Sequence, residues 1–418
     1  MRIVAVHRGA RDGYHVARAL SEAGLLETLV TDLYWPADRQ WARGIETILG
    51  GKTSNALRCR NGERLPSKKV TCCWVTGLGS MAASKSRAVT FDVQRQATRW
   101  CDRALGREAG RIATEKRAAL FSYSYYAHSA FSHFRGNQPR ILFQLHPHPA
   151  SLRSILRRER ELHPDCASSL DKEWELALPE SDYQRLVDEV TMAQHWIVAS
   201  NFTKRTLVEN GIPAERIGVI PYGIDANRFL LKTDRAASRG PLRLLFVGAL
   251  GQRKGIKYLL EAVKMLPLGT VELSMCGRAL DDLSLFQGIP KFIRINPSIS
   301  AEGLLREYCN ADVFVFPSLA EGFAHVLLEA MASGLPIIST TPTAAPDLIR
   351  HGREGFIVSP GSVYDVVEAI EEFLRHPEAV RSMGEAARLR AEYFTWERFR
   401  QGVVDFVDQV CAPRIPVR

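Results

Sequence analysis

Short runs of consecutive apolar residues alternate along this chain with longer stretches in which apolar residues recur every three or four positions. The first run, Arg2–Val6, leads through the turn HRGARDG into a predicted helix over His15–Ala23 that stops at Gly24. Further strand-like runs follow at Leu29–Thr31, Ala118–Tyr123, Arg140–Leu145 and His195–Ala199, separated by helical periods. Uninterrupted apolar strands joined by helices predict a parallel sheet covered on both faces. Residues 36–90 show no clean period and read as irregular and basic.

The Pro- and Gly-rich segment IPAERIGVIPYGID (212–225) and the polar break TDRAASRGP (233–241) interrupt this pattern. It then restarts with strands at Leu244–Val247, Val271–Met275, Asp312–Phe316, Pro336–Ser339 and Gly355–Val358, and a helix near Ile256–Leu266. The expected fold class is α/β: two doubly wound, Rossmann-like domains, residues 1–217 and 218–394, facing a central cleft where ligands sit. After them, Phe394, Trp396, Phe399, Val403, Phe406 and Val407 form the apolar stripe of a last amphipathic helix.

The 418 residues are 46% hydrophobic and 24% charged, which suits globular domains and excludes a disordered or collagen-like chain. No apolar run reaches the roughly 18 residues of a membrane span. The N-terminus carries no signal-peptide core, so a cytoplasmic location is expected. The eight cysteines have neither CxxC nor zinc-ligand spacing and read as free thiols of a reducing compartment. Charge is uneven: residues 1–160 hold 27 Lys and Arg against 12 Asp and Glu, whereas residues 219–418 hold 23 of each. That bias fits an anionic partner for the first half (a phosphorylated acceptor, anionic lipid or nucleic acid) and equally an Arg-rich solvated surface. No basic-aromatic nucleic-acid module is present, and nucleic acid is not expected as a partner.

The stretch with most chemistry is DVFVFPSLAEGFAHVLLEAMASG (312–334). A buried strand ends in a loop holding Glu321, and a helix then carries Glu329, an E-x7-E spacing. A helix start beside a strand's C-terminal end offers free amides to a phosphate. Two carboxylates there are suited to accept hydrogen bonds from sugar or ribose hydroxyls. Isolated glutamates would read as solvated, but these have company.

EGFAHVLLEAMASGLPIIST resembles the E-x7-E segment of the retaining family 4 glycosyltransferases. Three further segments resemble that family in the expected order: NFTKRTLVENGIPAERIGVIPYGIDANRF (201–229), LLFVGALGQRKGIKYLLEAV (244–263) and TPTAAPDLIRHGREGFIVSPG (341–361). The resemblance spans roughly residues 195–375. It implies the GT-B architecture, with a nucleotide diphosphate sugar on the C-terminal domain, an acceptor mostly on the N-terminal one, and the 395–418 helix crossing back to the latter. By the same resemblance Glu329 holds the ribose hydroxyls, Glu321 the transferred sugar, and Lys254 the diphosphate. Gly322, Phe323 and Ala324 line the donor pocket.

Departures from the family pattern are Ala249, where an arginine is usual, and Ala324, where a glycine is usual; Arg253 is placed to supply the missing charge. Tyr222 stands for the usual asparagine, and Ala344-Ala345 for a glycine pair. RILFQLHPHP offers His146 as the histidine beside the donor sugar, with His148 second to it. Gly9 and Gly13 of the first turn fit an acceptor or phosphate loop, or simply the turn such a fold needs.

GGKTS (50–54) is no P-loop, because its first glycine would fall at Glu46, and no G-x-G-x-x-G or D-x-D is present. Neither a metal nor another cofactor is expected. The implied activity is retaining hexosyl transfer to a glycan or lipid-linked acceptor. Basic residues 39–69 and 152–163 are candidates for an anionic membrane surface. A sugar-phosphate synthase relative and a catalytically silent sugar-nucleotide-binding protein are the alternatives.

Overall fold

The computed structural model describes residues 1–40, 42, 60–85, 90–229, 240–279, 286 and 288–412. The GGKTS tract, Cys59 and most of the 233–241 break lie outside the described residues, as do 413–418 of the expected terminal segment. The first sheet contains β1 (Ile3–Val6), β2 (Leu26–Thr31), β3 (Val70–Cys72), β4 (Ala119–Tyr123), β5 (Arg140–Gln144), β6 (His195–Val198) and β7 (Ile217–Val219). Their spatial order is β3-β2-β1-β4-β5-β6-β7. The second contains β8 (Leu242–Val247), β9 (Val271–Cys276), β10 (Ile293–Asn296), β11 (Val313–Phe316), β12 (Ile337–Thr340) and β13 (Gly355–Val358), in the order β10-β9-β8-β11-β12-β13.

Every pairing within both sheets is parallel. Winding reverses between β1 and β4 and again between β8 and β11. Each reversal opens a crevice at the strands' C-terminal ends, the usual ligand position in such sheets. The central strands are apolar without alternation because helices bury both faces: IVAV of β1 and VFVF of β11 are wholly inside.

Three strands escaped the sequence pattern, and each lies at a sheet edge. β3, β7 and β10 are three or four residues long, include residues only partly buried, and so need no continuous apolar run. Two expectations change accordingly. Residues 36–90 are not irregular throughout, since they hold β3 and the helix Trp74–Lys85. Strand β7 crosses the expected division at 217/218, so the chain leaves the first sheet only after Val219.

One apolar cluster runs through both domains, beside a second confined to the first domain. Tyr222 is its bridge, with ring centroids 5.5 Å from Phe143, 5.3 Å from Phe399 and 5.3 Å from Phe323. The chain crosses between domains twice, and the crossings touch: a Cβ on Gly223 would lie 2.2 Å from the Trp396 amide nitrogen. The last helix, Trp396–Cys411, packs on the first, His15–Glu22, with Trp396 stacked on His15 at 4.0 Å. Thr395 caps it by accepting from the Arg398 amide at 3.2 Å. Of its predicted stripe, Phe394, Phe399, Val403 and Val407 are buried, and Trp396 and Phe406 are partly so. Phe406 reaches β7 because residue 218 is glycine; a Cβ there would stand 2.6 Å from its ring.

Candidate active site

At the C-terminal end of β8 the chain turns through Gln252–Lys254 into the helix Ile256–Met265. Gly255 makes this turn with φ +74°, and a Cβ on it would fall 2.0 Å from the carbonyl oxygen of Pro317 at the end of β11. That close approach brings Arg253 and Lys254 onto the loop after β11, where the backbone amide of Leu319 donates to the Arg253 carbonyl at 2.8 Å. Glu321 lies on the same loop and accepts from both Lys254 and Arg253 through one oxygen. Arg253 also donates to the Ala320 carbonyl at 3.0 Å and reaches into the N-terminal domain, where its Nε is 2.8 Å from Glu173.

These groups are almost removed from water, with side-chain exposures of 13% for Arg253, 12% for Lys254 and 8% for Glu321. Burial alone would raise the Glu321 carboxyl; Arg253 and Lys254 outweigh it and hold the group at about 2. Burial lowers Lys254, an effect Glu321 opposes. Replacing Glu321 by Gln leaves two buried cations short of their counter-charge and is expected to cost about 3–5 kcal/mol. The depressed pKa gives this loss a pH signature. Glu321 stabilises the fold fully above its unfolded value near 4.5, and the contribution disappears as pH falls towards about 2. The stability gap between wild type and Glu321→Gln, measured by urea unfolding, should therefore narrow steadily as pH is lowered from 5 to 3; a constant gap contradicts the assignment.

Gly322, next in the loop, is pressed on the N-terminal domain. A Cβ there would lie 1.8 Å from the carbonyl oxygen of Leu145, just after β5. Its carbonyl accepts from Ser200 Oγ at 2.6 Å and Thr203 Oγ1 at 3.3 Å. Phe323 is buried against Tyr222, and Ala324 caps the helix His325–Ala332 in a left-handed conformation, φ 68° and ψ 80°. A non-glycine residue is strained in that shape. Ala324→Gly should raise stability by about 0.5–1 kcal/mol in chemical denaturation, relief of strain exceeding the added freedom of the unfolded chain. Glu329, about one turn into the helix, accepts from the Tyr308 hydroxyl at 2.8 Å; burial raises its pKa, opposed by that bond and by Arg228.

His146 follows β5 across the cleft, its ring edge-on to Tyr125 at 5.4 Å. Burial and then Arg253 lower it to about 4, so it is neutral at pH 7 and acts through hydrogen bonds. His148 is used differently, as a helix cap: its Nδ1 accepts from the Ala150 amide at 3.1 Å at the start of the helix Pro149–Leu162. Gly9 and Gly13 both have positive φ. The Gly9 amide is already engaged by Asp32 at 2.8 Å, and Gly13 is exposed beside His15. The structure thus brings His146, Arg253, Lys254, Glu321 and Gly322 together. Glu329 stands further along its helix, and Gly9 and Gly13 lie on the N-terminal side.

Several functional-looking residues carried no sequence signal. Glu173, which pairs with Arg253, and Tyr308, which holds Glu329, lie outside any motif. Glu159 is buried between the domains, accepting from Gln252 at 2.6 Å and Tyr258 at 2.7 Å. It lies in the basic segment 152–163, of which Arg153 and Arg160 are already paired with Glu180 and Asp171. Among the described residues, no three His, Cys, Asp or Glu side chains are grouped to hold a metal ion, and no helix is long and apolar enough to cross a membrane.

Comparison with known proteins bears on this arrangement. Residues 230–390, which include the Arg253–Lys254–Glu321 cluster and Glu329, match the family model described as Glycosyl transferases group 1. This part of the chain is similar to that family. Curated relatives of the group 1 region include the sulfoquinovosyl transferase SQD2 of Arabidopsis thaliana, 32% identical over 37% of this chain and 30% of its own length. The amylovoran biosynthesis glycosyltransferase AmsK of Erwinia amylovora is 30% identical over 50% of this chain and 54% of its own. The chain thus spans about half the length, or less, of these relatives. Likeness to solved structures runs through both domains. Sucrose-phosphate synthase from Thermosynechococcus elongatus superposes with a TM-score of 0.64 at 18% identity, covering 98% of this chain and 99% of its own. Anabaena HepE in complex with UDP-glucose gives 0.62 at 15%, covering 98% and 100%. At these identities the likeness concerns the fold, which is the two-domain GT-B architecture around the group 1 region.

Proposed function

We propose that the protein is a retaining, metal-independent glycosyltransferase of family 4. It moves a hexosyl-type sugar from a nucleotide diphosphate donor to a hydroxyl of a glycan or lipid-linked acceptor, in surface polysaccharide or glycolipid synthesis. The observation that carries this reading is the buried cluster of Lys254, Arg253 and Glu321 at the switch point of the second sheet, closed over by His146 and Leu145 of the first domain. Two cations beneath a strand end suit a diphosphate, and a carboxylate beside them suits the sugar's hydroxyls. Arg253 takes the part of the arginine absent at Ala249.

In the reaction the acceptor oxygen bonds to the anomeric carbon on the face from which the diphosphate leaves. The carbon–oxygen bond to the diphosphate breaks with its electron pair, and the acceptor's proton passes to the departing diphosphate oxygen. No protein nucleophile is needed. Lys254 and Arg253 stabilise the charge on the leaving group, and neutral His146 and Glu321 hold the sugar. Donor arrival must loosen the Glu321 pairs, since the same two cations serve both. Glu329 exchanges Tyr308 for the ribose hydroxyls. The excess positive charge of residues 1–160 fits a cytoplasmic enzyme resting on an anionic membrane surface.

A panel of UDP-, GDP- and ADP-sugars, screened by thermal shift in EDTA and followed by a test for slow donor hydrolysis, checks the proposal. One nucleotide family should stabilise the protein and be hydrolysed without metal. A shift without hydrolysis would favour a catalytically silent sugar-nucleotide-binding protein, and failure of every donor to shift the transition would favour a silent GT-B scaffold or a donor site that forms only with acceptor or membrane present.

A further inference from the structure

The N-terminal domain holds a cavity of about 300 Å³ that begins at His146 and Arg253 and runs inward between the first turn and the helix Phe91–Glu115. A second cavity of about 470 Å³ adjoins it, sharing Arg8, Arg11, Arg95 and Tyr126. The inner wall is dominated by guanidinium groups whose commitments differ. Arg95 and Arg99 both reach Asp182, Arg95 pairs with Asp92 as well at 3.1 Å, and Arg8 stands 3.8 Å from Asp102. Arg11 and Arg185 have no carboxylate within salt-bridge distance among the described residues; Arg11 Nε instead donates to the Tyr126 hydroxyl at 3.1 Å.

Of the five carboxylates on the same wall, Asp182 serves Arg95 and Arg99, Glu173 pairs with Arg253 and Glu175 accepts from the Tyr125 hydroxyl at 2.5 Å, which leaves Asp102 and Glu189. Glu189 accepts from the Tyr125 amide at 2.5 Å and the His128 amide at 3.1 Å, yet burial pushes it up to about 8. Asp102 is likewise pushed up to about 7. Four further buried polar atoms here, Ser129 Oγ, His128 Nδ1, Asp102 Oδ1 and Arg99 Nε, have no hydrogen-bond partner among the described residues. A protein interior seldom leaves so many unmet groups in one place unless ordered water or a ligand meets them. At the mouth, Trp174 is 44% exposed and edge-on to Tyr125 at 6.3 Å, a platform on which a sugar ring can stack.

We infer that the acceptor is a polyhydroxylated molecule bearing a phosphate, which sits on Arg11 and Arg185 while the acceptor's reactive hydroxyl faces His146 and Arg253. Guanidinium forks match phosphate oxygens in pairs, and a half-buried cation with no carboxylate in contact gains from such a partner. The orphaned hydroxyl, imidazole and carboxyl atoms then serve the ring hydroxyls. The inference rests on the glycosyl-transfer reading for the word acceptor, but the phosphate site stands on its own geometry. Its phosphate belongs either to a soluble sugar phosphate or to a lipid headgroup.

The test is equilibrium binding to the full chain by calorimetry, using matched probes: glucose against glucose 6-phosphate, inositol against inositol 1-phosphate, and phosphatidylcholine vesicles with and without phosphatidylinositol. The phosphorylated member of at least one pair should bind about tenfold more tightly or better. Arg11→Gln and Arg185→Gln should each erase that preference with unchanged circular dichroism, whereas Arg375→Gln, exposed on the second domain and outside both cavities, should keep it. A preference among soluble esters identifies a free sugar phosphate, and one confined to vesicles identifies a headgroup. Equal binding within every pair, no binding by any phosphorylated probe, or a preference that survives both cavity variants overturns the inference. Donor binding is measured separately. A protein that hydrolyses a donor but ignores phosphate retains the proposed function and loses this site; phosphate preference without donor binding does the reverse.

Discussion

Lys254→Ala should lower sugar transfer, or donor hydrolysis in the absence of acceptor, by about 10²–10³-fold in kcat. Lys254 lies at the β8–β11 switch point, its ammonium 5.3 Å from the Phe316 ring centroid at the end of β11. Charge grows on the diphosphate only as the glycosidic bond breaks, so the interaction strengthens towards the transition state. Its loss belongs in kcat more than in KM. The fold should survive because Glu321 keeps Arg253 as a partner. Lys254→Arg is not a conservative control, since a planar fork cannot occupy a space shaped for one ammonium. Nucleotide release at saturating donor measures the effect. A variant within a factor of about two of wild type would leave Arg253 as the sole cation acting on the leaving group.

That the family resemblance could mark this cluster has a physical cause. Arg253, Lys254, Glu321 and Glu329 all sit within a few turns of a central strand's C-terminal end, and such strands are the ones an uninterrupted apolar run reveals. Gly322, which the resemblance placed in the donor pocket, has a related reason to be glycine: backbone passes within 2.0 Å of where a side chain would be, as it does at Gly255, which was not singled out in the sequence. Edge strands gave no such signal. β3, β7 and β10 are too short and too mixed in burial to stand out, and the division at 217/218 fell inside β7 as a result.

The cavity wall was illegible for a different reason. Arg11, Arg99, Arg185 and Glu189 come from separate segments with no shared motif spacing, and only the fold collects them. Composition carried a trace, the surplus of basic residues in 1–160, without saying which arginines point inward. His146 and His148 illustrate the limit within one short segment. Two residues apart in HPHP, one faces the cleft and the other caps a helix, and the difference lies in where the helix Pro149–Leu162 begins.

Gly322→Ala should weaken domain closure without unfolding either domain. Its Cβ would stand 1.8 Å from the Leu145 carbonyl oxygen and 3.1 Å from His146 Cα, and backbone cannot retreat as a flexible side chain can. The Glu321–Gly322 loop is fixed from behind, because the Glu321 amide donates to the Pro342 carbonyl at 2.9 Å. The first domain must therefore move away, stretching the bonds from Ser200 and Thr203 to the Gly322 carbonyl. Overpacking of this kind costs about 1–3 kcal/mol. Since only the closed form places His146 beside Arg253 and Glu321, the same free energy should appear as a fall of about 5- to 150-fold in kcat/KM. Small-angle scattering should show a larger radius of gyration for the variant, with an unchanged circular dichroism spectrum. Activity lost at wild-type dimensions would mean that the added methyl blocks the donor pocket directly. Wild-type activity would mean that turnover does not require the contact between Gly322 and the end of β5.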